Sequence, residues 1–214
     1  MMYANHISSM NELSASEGVF TTAQAARLGI TRNALAHACA VGRAERICHG
    51  AYRLTGTPAL ETDELTAIWK LTKPSLFTWE RQRTWDGIAI GGHTAACLLG
   101  IGDFFSTPYR IFSPARINSR LISTNFGIRA IDRQDVSWML GLPVTRPERT
   151  LVDLCLDFED PSLIGNAFRD ASARGLDLHR LEDLVQGIAK TPQKKRLLMP
   201  LKKHILAARE ERNS

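Results

Sequence analysis

The fold of the N-terminal region is set by residues 21–53, TTAQAARLGITRNALAHACAVGRAERICHGAYR. Thr21 and Gln24 have the spacing of a capping box, in which each side-chain oxygen accepts a hydrogen bond from the other residue's backbone N–H. This pattern predicts a short helix over residues 23–28. Gly29 follows, and because glycine adopts positive φ at little cost, the chain is expected to turn there.

A second short helix is predicted directly after that turn. Thr31 has the hydroxyl of a helix N-cap, the helix is expected over residues 32–41, and Gly42 ends it. Two short helices joined by a tight glycine turn form a helix-turn-helix. The residues expected to pack where these helices cross are small or apolar: Ala25, Leu28, Ile30, Leu35 and Ala38.

The outward face of the second helix carries small or hydrogen-bonding side chains near its N-terminal end. In a recognition helix, this end reaches the base edges in the major groove of DNA. The sequence therefore predicts a set of residues that face the bases: Thr31, Arg32, Asn33 and His37.

A β-hairpin is predicted next. Residues 45–48 and 51–54 have the alternation of short strands, and His49-Gly50 between them suits a tight turn. Helix, turn, helix and hairpin together indicate a winged helix-turn-helix; the alternative is two hairpins, one helical and one stranded, that only pack. As a wing, the hairpin region would contact phosphate or the minor groove through its cations: Arg43, Arg46, His49 and Arg53.

Length and composition place the chain among ordinary globular proteins. Its 214 residues suffice for one large domain or two small ones, and 44% of them are hydrophobic and 23% charged. The four cysteines are widely spaced and include no C-x-x-C pair. We therefore expect reduced, mostly buried thiols rather than a zinc site or a disulfide framework.

The sequence also bears on location. No apolar run approaches the roughly twenty residues of a membrane span. The first residues, MMYANHISSMNELS, lack the basic start and apolar stretch of a signal peptide. We therefore expect a cytoplasmic protein.

Charge is distributed unevenly along the chain. Residues 1–57 contain five arginines and three acidic residues, residues 58–189 contain fourteen basic and seventeen acidic residues, and residues 190–214 contain eight basic and two acidic residues. Two basic ends around a mildly acidic middle favour binding to a polyanion at one or both ends.

The turn-rich sequence from Thr55 to Pro58 predicts a domain boundary. We expect a winged helix-turn-helix domain over residues 1–57 and a mixed α+β domain over residues 58–214, with a small sheet followed by C-terminal helices. The strands of this second domain are predicted over residues 87–91, 109–113, 127–132, 136–140 and 142–144. The other helices are predicted over residues 6–16, 61–73, 161–174, 178–188 and 192–208, the last with a break at Pro200.

Two further helix starts are predicted from capping residues. His93 or Thr94 is expected to open a small helix that Gly100 ends. Thr145 and Glu148 have the spacing of a second capping box and are expected to open a longer one.

Two segments of the second region join the winged unit in resembling a known family. They are IGGHTAACLLG at residues 90–100 and LPVTRPERTLVDL at residues 142–154. With residues 18–52, they resemble the AbiEi-type antitoxins of bacterial type IV toxin–antitoxin systems. The resemblance implies an N-terminal winged helix that binds operator DNA and represses the operon. It also implies a C-terminal domain that counters a nucleotidyltransferase-like toxin without a stable complex.

The resemblance further marks four residues of the second region as structural or functional members of the antitoxin domain: Thr94, Thr145, Arg149 and Asp153. Thr94 is a departure, because relatives often carry serine before the paired alanines. The change is mild, since threonine keeps the hydroxyl. Beyond about residue 156 the family is variable, and the resemblance covers the C-terminal helices weakly.

A catalytic second domain is the alternative to a binding one. Clustered carboxylates can hold a divalent metal for phosphodiester chemistry. The candidates are His93, Asp132, Asp135 and Asp153. Their spacing matches no nuclease or nucleotidyltransferase motif, and the sequence has no P-loop or G-x-S-x-G. The simpler interpretation is that His93 caps a helix, the first two aspartates flank a turn and Asp153 pairs with Arg149. We therefore expect no enzyme, no cofactor and no metal.

The C-terminal segment is basic and amphipathic. A solvated helix face is the simpler interpretation, and a second surface that contacts phosphate is the alternative. The residues concerned are Lys194, Lys195, Arg196, Lys202 and Lys203.

Together these patterns predict a DNA-binding antitoxin that represses its own operon, bound to duplex operator DNA on repeated half-sites and associated with the bacterial nucleoid. A stand-alone winged-helix repressor without a toxin is one alternative, and an interaction module whose winged helix binds protein is another.

Overall fold

The computed structural model describes residues 2–119 and 121–213, and it describes side chains for residues 8–119 and 121–210. The chain folds into two compact units. The N-terminal unit runs to Asp86 and includes Leu140–Leu142; the C-terminal unit comprises Gly87–Met139 and the residues from Pro143 onward.

Over its described residues, the N-terminal unit combines five helices with three short strands. In chain order these are α1 Met2–Glu17, β1 Phe20–Thr21, α2 Thr22–Arg27, α3 Arg32–Ala40, β2 Ala44–Cys48, β3 Ala51–Leu54, α4 Asp63–Leu71 and α5 Thr78–Arg83. This order of helices and strands is that of a winged helix-turn-helix, as the sequence predicted.

Local capping creates the helix-turn-helix. The Thr21 hydroxyl accepts a hydrogen bond from the Gln24 backbone N–H at 3.1 Å, and the Gln24 side chain accepts one from the Thr21 N–H at 2.8 Å. Gly29 has φ +75°, which confirms the predicted turn. Thr31 caps α3, and Gly42 follows it with φ +72°. The capping box, the turn and both helices are thus confirmed.

The wing is part of a three-stranded antiparallel sheet in the order β1-β3-β2. Strand β1 was not predicted: Phe20 pairs with Tyr52, and Thr21 pairs with Ala51. Because β1 leads directly into α2, this pairing joins the wing to the start of the helix-turn-helix. Gly50 takes φ +88° in the turn between β2 and β3.

The core of this unit confirms most of the predicted helix crossing. Ala25 is fully buried, so only a small side chain fits there. The surrounding core consists of Met10, Leu13, Phe20, Ile30, Leu35, Ala38 and Ala44. The prediction for Leu28 was wrong: as the C-cap of α2 it is 41% exposed, because the chain turns at Gly29 before its side chain can face α3.

Helices α4 and α5 belong to the winged unit through a buried polar cluster. The Lys70 ammonium donates to the Glu17 carboxylate at 2.6 Å, to the Glu17 backbone oxygen at 2.8 Å and to the Val19 oxygen at 2.6 Å. The Thr78 hydroxyl donates to the same carboxylate at 2.7 Å. The sequence placed a domain boundary near Pro58, whereas the compact unit continues through α5, because this cluster fastens both helices to α1 and β1.

The other elements in the part of the chain that the structure describes form a five-stranded sheet and six helices. They are β4 Ala89–Ile90, α6 Gly92–Leu99, β5 Tyr109–Ser113, β6 Thr124–Ile128, β7 Val136–Met139, β8 Leu142–Thr145, α7 Pro147–Leu156, α8 Pro161–Ala173, α9 Leu178–Ile188, α10 Pro192–Leu197 and α11 Met199–Asn213. A short 3-10 turn, Arg133–Asp135, precedes β7.

The sheet is mixed, with strand order β6-β5-β4-β8-β7. Strand β5 is antiparallel to β4 and parallel to β6. The strand predicted over residues 127–132 instead lies over Thr124–Ile128, so Asp132 falls in the turn that follows. The α+β class and the C-terminal helices are confirmed, including a break between α10 and α11 at residue 198, beside the predicted Pro200.

Both predicted helix starts in this region were displaced by neighbouring residues. Gly91, not His93 or Thr94, is the N-cap of α6. Arg146 is the N-cap of α7, so Thr145 and Glu148 do not form a capping box. The cause is Pro147, which takes the first helical position and moves the start of α7 one residue past Thr145. The cysteines are free as predicted, but of Cys39, Cys48, Cys97 and Cys155 only the last is buried.

The buried Lys70–Glu17 pair generates a stability prediction. Both side chains are 2% exposed, so Lys70→Ala leaves a carboxylate buried without its cation and should cost about 3–5 kcal/mol of unfolding free energy. Lys70→Met, which keeps most of the volume, should lose nearly as much, and adding Glu17→Gln should recover part of that loss. Urea denaturation of the full chain measures all three.

The matched control is an exposed ion pair. Arg209 and Glu182 pair with their side chains 47% and 26% exposed, and Arg209→Ala should cost about 0–1 kcal/mol. Equal losses from Lys70→Ala and Arg209→Ala would show that the buried pair does not hold the N-terminal unit together.

Candidate nucleic-acid interface

Helix α3 presents the predicted base-facing residues on its exposed side. The Thr31 hydroxyl accepts a hydrogen bond from the Ala34 N–H at 3.1 Å and so fixes the start of the helix. Leu35 on the other side is 1% exposed and anchors α3 in the core. Arg32, Asn33 and His37 are all exposed on the surface of the unit. The orientation predicted for α3 is therefore the one that the structure has.

At the tip of the wing, the guanidinium of Arg46 is hydrogen-bonded to the imidazole of His49. Arg46 Nη2 lies 2.5 Å from His49 Nδ1, and both residues are exposed. Because a guanidinium has no acceptor, Nδ1 is the acceptor in this contact, and the neutral ring then carries its proton on Nε2.

Arg53 requires a correction. It was predicted to contact DNA, but it is 8% exposed and lies inside the unit. Its Nη2 donates to Glu45 Oε2 at 2.5 Å, and its Nε lies 3.4 Å from Asp63 Oδ2. Alternation along β3 directs this side chain to the buried face, where two carboxylates neutralise it. Arg53 therefore holds the wing and does not offer its charge to a phosphate.

A second arginine of the N-terminal region is also engaged. Arg27, at the end of α2, makes a two-pronged contact with Glu80 at 2.5 and 2.9 Å and stacks 4.3 Å from the centroid of the Phe77 ring. These hydrogen bonds lower the pKa of Glu80. Arg27 is itself exposed, but its charge is paired with Glu80; the other exposed arginines around α3 and the wing are Arg32, Arg43 and Arg46.

The four residues that the resemblance marked in the second region are all buried. The Thr94 hydroxyl donates to the Ser106 oxygen at 2.6 Å and accepts from the Arg110 N–H at 2.8 Å, which fixes the approach to β5. Thr145 and Thr150 share a hydrogen bond of 2.7 Å between their hydroxyls. Arg149 and Asp153 pair as predicted, with Nε to Oδ1 at 3.0 Å. Each of these contacts is internal to the fold.

The last of those pairs belongs to a longer ionic chain that sequence reasoning missed. Arginines and aspartates alternate along it, each within 3.5 Å of the next: Arg110, Asp157, Arg129, Asp153, Arg149, Asp135 and Arg180. These ion pairs link β5, the segment after β6, the 3-10 turn, α7 and α9. Only the i,i+4 spacing of one pair was visible in the sequence, because the other partners are 14 to 47 positions apart.

The catalytic candidates do not converge on a metal site. Asp135 is held by Arg149 and Arg180, and Asp153 by two arginines, while Asp132 is exposed beside the turn. His93 contacts the Pro108 oxygen at 2.8 Å through Nε2. Among the described residues, there is no group of three or more histidine, cysteine, aspartate or glutamate side chains that could hold a metal ion.

The basic C-terminal residues lie on α10 and α11, near the buried side chains of Leu198 between the helices and of Leu201 and Ile205 in α11. Lys203 is exposed and Lys202 is half-buried. In the last turn of α10, cations also interact favourably with the helix dipole. The residues of that turn are Lys194, Lys195 and Arg196. These positions agree with a solvated face and equally with a surface for phosphate.

The fold and the exposed face of α3 define the N-terminal unit as a winged helix-turn-helix of the type that binds DNA. Residues 8–55 match a family described as "Transcriptional regulator, AbiEi antitoxin". This confirms the resemblance over the winged region and supports a DNA-binding regulatory role. A solved structure, the RV2827C protein from Mycobacterium tuberculosis, is similar in fold with a TM-score of 0.58 and 18% sequence identity. The match covers 95% of this chain and 78% of that one.

No curated protein matches the chain significantly. Within the described residues, no helix is both long and apolar enough to cross a membrane.

The ionic chain generates a pH prediction centred on Asp153. Burial raises the pKa of this carboxyl from 3.8 to about 6, and its Oδ2 has no hydrogen-bond partner among the described residues. Folding therefore takes up a proton at Asp153 between these values. The resulting stabilisation is complete below pH about 4 and is lost as the pH rises through about 6.

Asp153→Asn removes this titration. The unfolding free energy of the parent, relative to that of the variant, should fall by up to about 3 kcal/mol between pH 4 and pH 7, at about 1.4 kcal/mol per pKa unit. Asp160→Asn is the control: hydrogen bonds from Ser162 lower the pKa of Asp160, so its stabilisation is lost only at lower pH and its parent–variant difference should stay nearly constant between pH 4 and pH 7. A parent–variant difference for Asp153 that stays constant over this range would mean that the carboxylate is ionised throughout.

Proposed function

We propose that this protein is a DNA-binding transcriptional regulator that grips duplex DNA with α3 in the major groove and the wing against the backbone. The observation that carries the proposal is the exposed face of α3 together with the three exposed arginines around it, on a unit that matches a regulator family. Arg27 and Arg53 are each paired with a glutamate carboxylate, so those three arginines form the cationic surface.

The proposed contacts to DNA are of two kinds. Arg32 and Asn33 lie in the first turn of α3 and can each make two hydrogen bonds to a guanine or an adenine edge. Arg43 follows the end of α3, and Arg46 and His49 lie on the wing, where contacts to phosphate position the protein without reading sequence. The Thr31 hydroxyl adds a polar group at the same helix end.

Gel-shift titration against the region upstream of the gene tests this division. Arg46→Ala should weaken binding about equally on all sequences and reduce the salt slope by about 1. Asn33→Ala should instead relax discrimination at one base pair, by about 1–3 kcal/mol. Arg83→Ala, an exposed arginine on α5, is the matched control and should bind like the parent. Unchanged affinity in an Arg32→Ala/Arg46→Ala double variant would refute the proposed interface.

The finer proposal is that the protein is an antitoxin that represses its own operon from repeated half-sites and counters a nucleotidyltransferase-like toxin without a stable complex. The family description of residues 8–55 and the resemblance of residues 90–100 and 142–154 support it. A single winged helix contacts little DNA, so two copies on repeated sites would raise the affinity. The protein would act in the cytoplasm, at the nucleoid.

Repression and antitoxicity should be separable within the full chain. The Arg32→Ala/Arg46→Ala variant alters only the exposed α3 and wing, so it should lose repression of a reporter while still rescuing growth from the toxin of the adjacent gene. Thermal melting confirms that the variant is folded. Loss of rescue in a folded variant would refute the division. If the adjacent gene encodes no nucleotidyltransferase-like protein, the stand-alone repressor is the function to retain.

We also propose that the second region acts by binding rather than by catalysis. Its candidate carboxylates Asp135 and Asp153 are neutralised by arginines, which leaves them poor metal ligands. A DNase assay with Mg²⁺ or Mn²⁺ tests this, and cleavage that disappears in Asp135→Asn would contradict it.

A further inference from the structure

A cavity of about 540 Å³ opens in the N-terminal unit between α1, α3 and the turn after β3. Its wall consists mainly of apolar side chains, among them Met10, Ala15, Ala34 and Leu54. Pockets that bind small molecules have volumes of roughly 300–1,000 Å³ and mostly apolar walls. The cavity is thus of the size and character of a ligand site, and the proposed function leaves it without a role.

The polar groups of the cavity lie at two places. Ser14 is 3% exposed, and its hydroxyl is bonded to that of Thr57 at 2.7 Å, so the inner polar groups satisfy each other. The other polar lining residues are all exposed, and Arg43 is the one with a permanent positive charge: Asn11, His37, Arg43 and Thr55. The described lining residues include no aspartate or glutamate. An apolar interior with a cation at its mouth complements a molecule that is apolar at one end and anionic at the other.

We propose that this cavity is a binding site for a small amphiphilic anion, such as an aromatic or aliphatic carboxylate or sulfonate. The apolar part lies against Met10, Ala15 and Ala34, and the anionic group meets Arg43. Because two cationic or polar residues of the DNA surface, His37 and Arg43, also line the cavity, the bound anion competes with phosphate for the same side chains. The ligand therefore lowers the affinity for DNA, and this regulatory half rests on the proposed function.

The probe for the site is 1-anilinonaphthalene-8-sulfonate, whose fluorescence rises in an apolar environment, with its neutral counterpart N-phenyl-1-naphthylamine beside it. The full chain should bind one sulfonate saturably and more tightly than the neutral probe. Arg43→Ala should remove that preference, because it removes the charge at the mouth. Equal affinity of the parent for both probes would overturn the assignment of an anion site.

Two substitutions at Ala15, which is exposed at the cavity and lies outside the DNA surface, test the location. Ala15→Trp fills the space and Ala15→Glu places a repelling charge there, and each should weaken sulfonate binding at least about tenfold. Ala207→Trp, an exposed alanine on α11, is the matched control and should leave it unchanged. Folded Ala15 variants that bind the sulfonate like the parent would overturn the proposal, as would sulfonate binding that falls as the protein self-associates, since a second copy would then occupy the cavity.

A separate experiment tests whether the bound ligand lowers the affinity for DNA. Saturating sulfonate should raise the Kd for operator DNA several-fold in the parent and not in Ala15→Trp, whose own DNA affinity should be near that of the parent. Sulfonate binding with an unchanged Kd for DNA would overturn the regulatory link and leave the ligand site standing. Sulfonate binding without any DNA binding would overturn the proposed function instead.

Discussion

The N-terminal unit depends on one buried ammonium group. Lys70 comes from α4, yet its three hydrogen bonds end on Glu17 and Val19, at the junction where α1 passes into β1. Removing an ammonium and a carboxylate from water is expensive, and only a full set of close partners offsets that cost. Glu17 also accepts hydrogen bonds from Gln24 and Thr78. The same carboxylate thus fixes the cap of α2, and with it the entry into the helix-turn-helix.

The second region is organised by charge in a similar way. Four arginines and three aspartates alternate across elements that are distant in sequence, and the Phe112 ring lies 4.2 Å from the guanidinium of Arg129 and 4.9 Å from that of Arg110. Opposite charges at each step keep the desolvation of any one group compensated by its neighbours. The buried polar residues of residues 90–100 and 142–154 are explained by this interior, because the side chains of Thr94, Thr145, Arg149 and Asp153 hold strands and helices together.

Local signals were sufficient for the helix-turn-helix and insufficient for what surrounds it. Caps and glycine turns act within four residues, so Thr21, Gly29 and Thr31 could be placed from sequence alone. The prediction that Arg53 faces DNA was wrong because alternation assigns the residues of a strand to two faces without showing which face is buried. Strand β1 has two residues, too few for any periodicity, and Lys70 lies 53 positions from Glu17. The capping pattern predicted Thr145 as the N-cap of α7. The helix instead starts at Pro147, because proline is strongly favoured at the first helical position.

The internal position of Arg53 has a consequence for the wing. Glu45 on β2 and Asp63 at the start of α4 hold one guanidinium between them, so the hairpin is fastened to α4 and is not a mobile appendage. A hairpin that already has its bound shape loses little conformational entropy when it meets a partner. Arg46 and His49 at its tip are also bonded to each other, which restricts their rotamers before any contact forms. The wing is therefore a preorganised element, and a partner that meets it would not have to order it first.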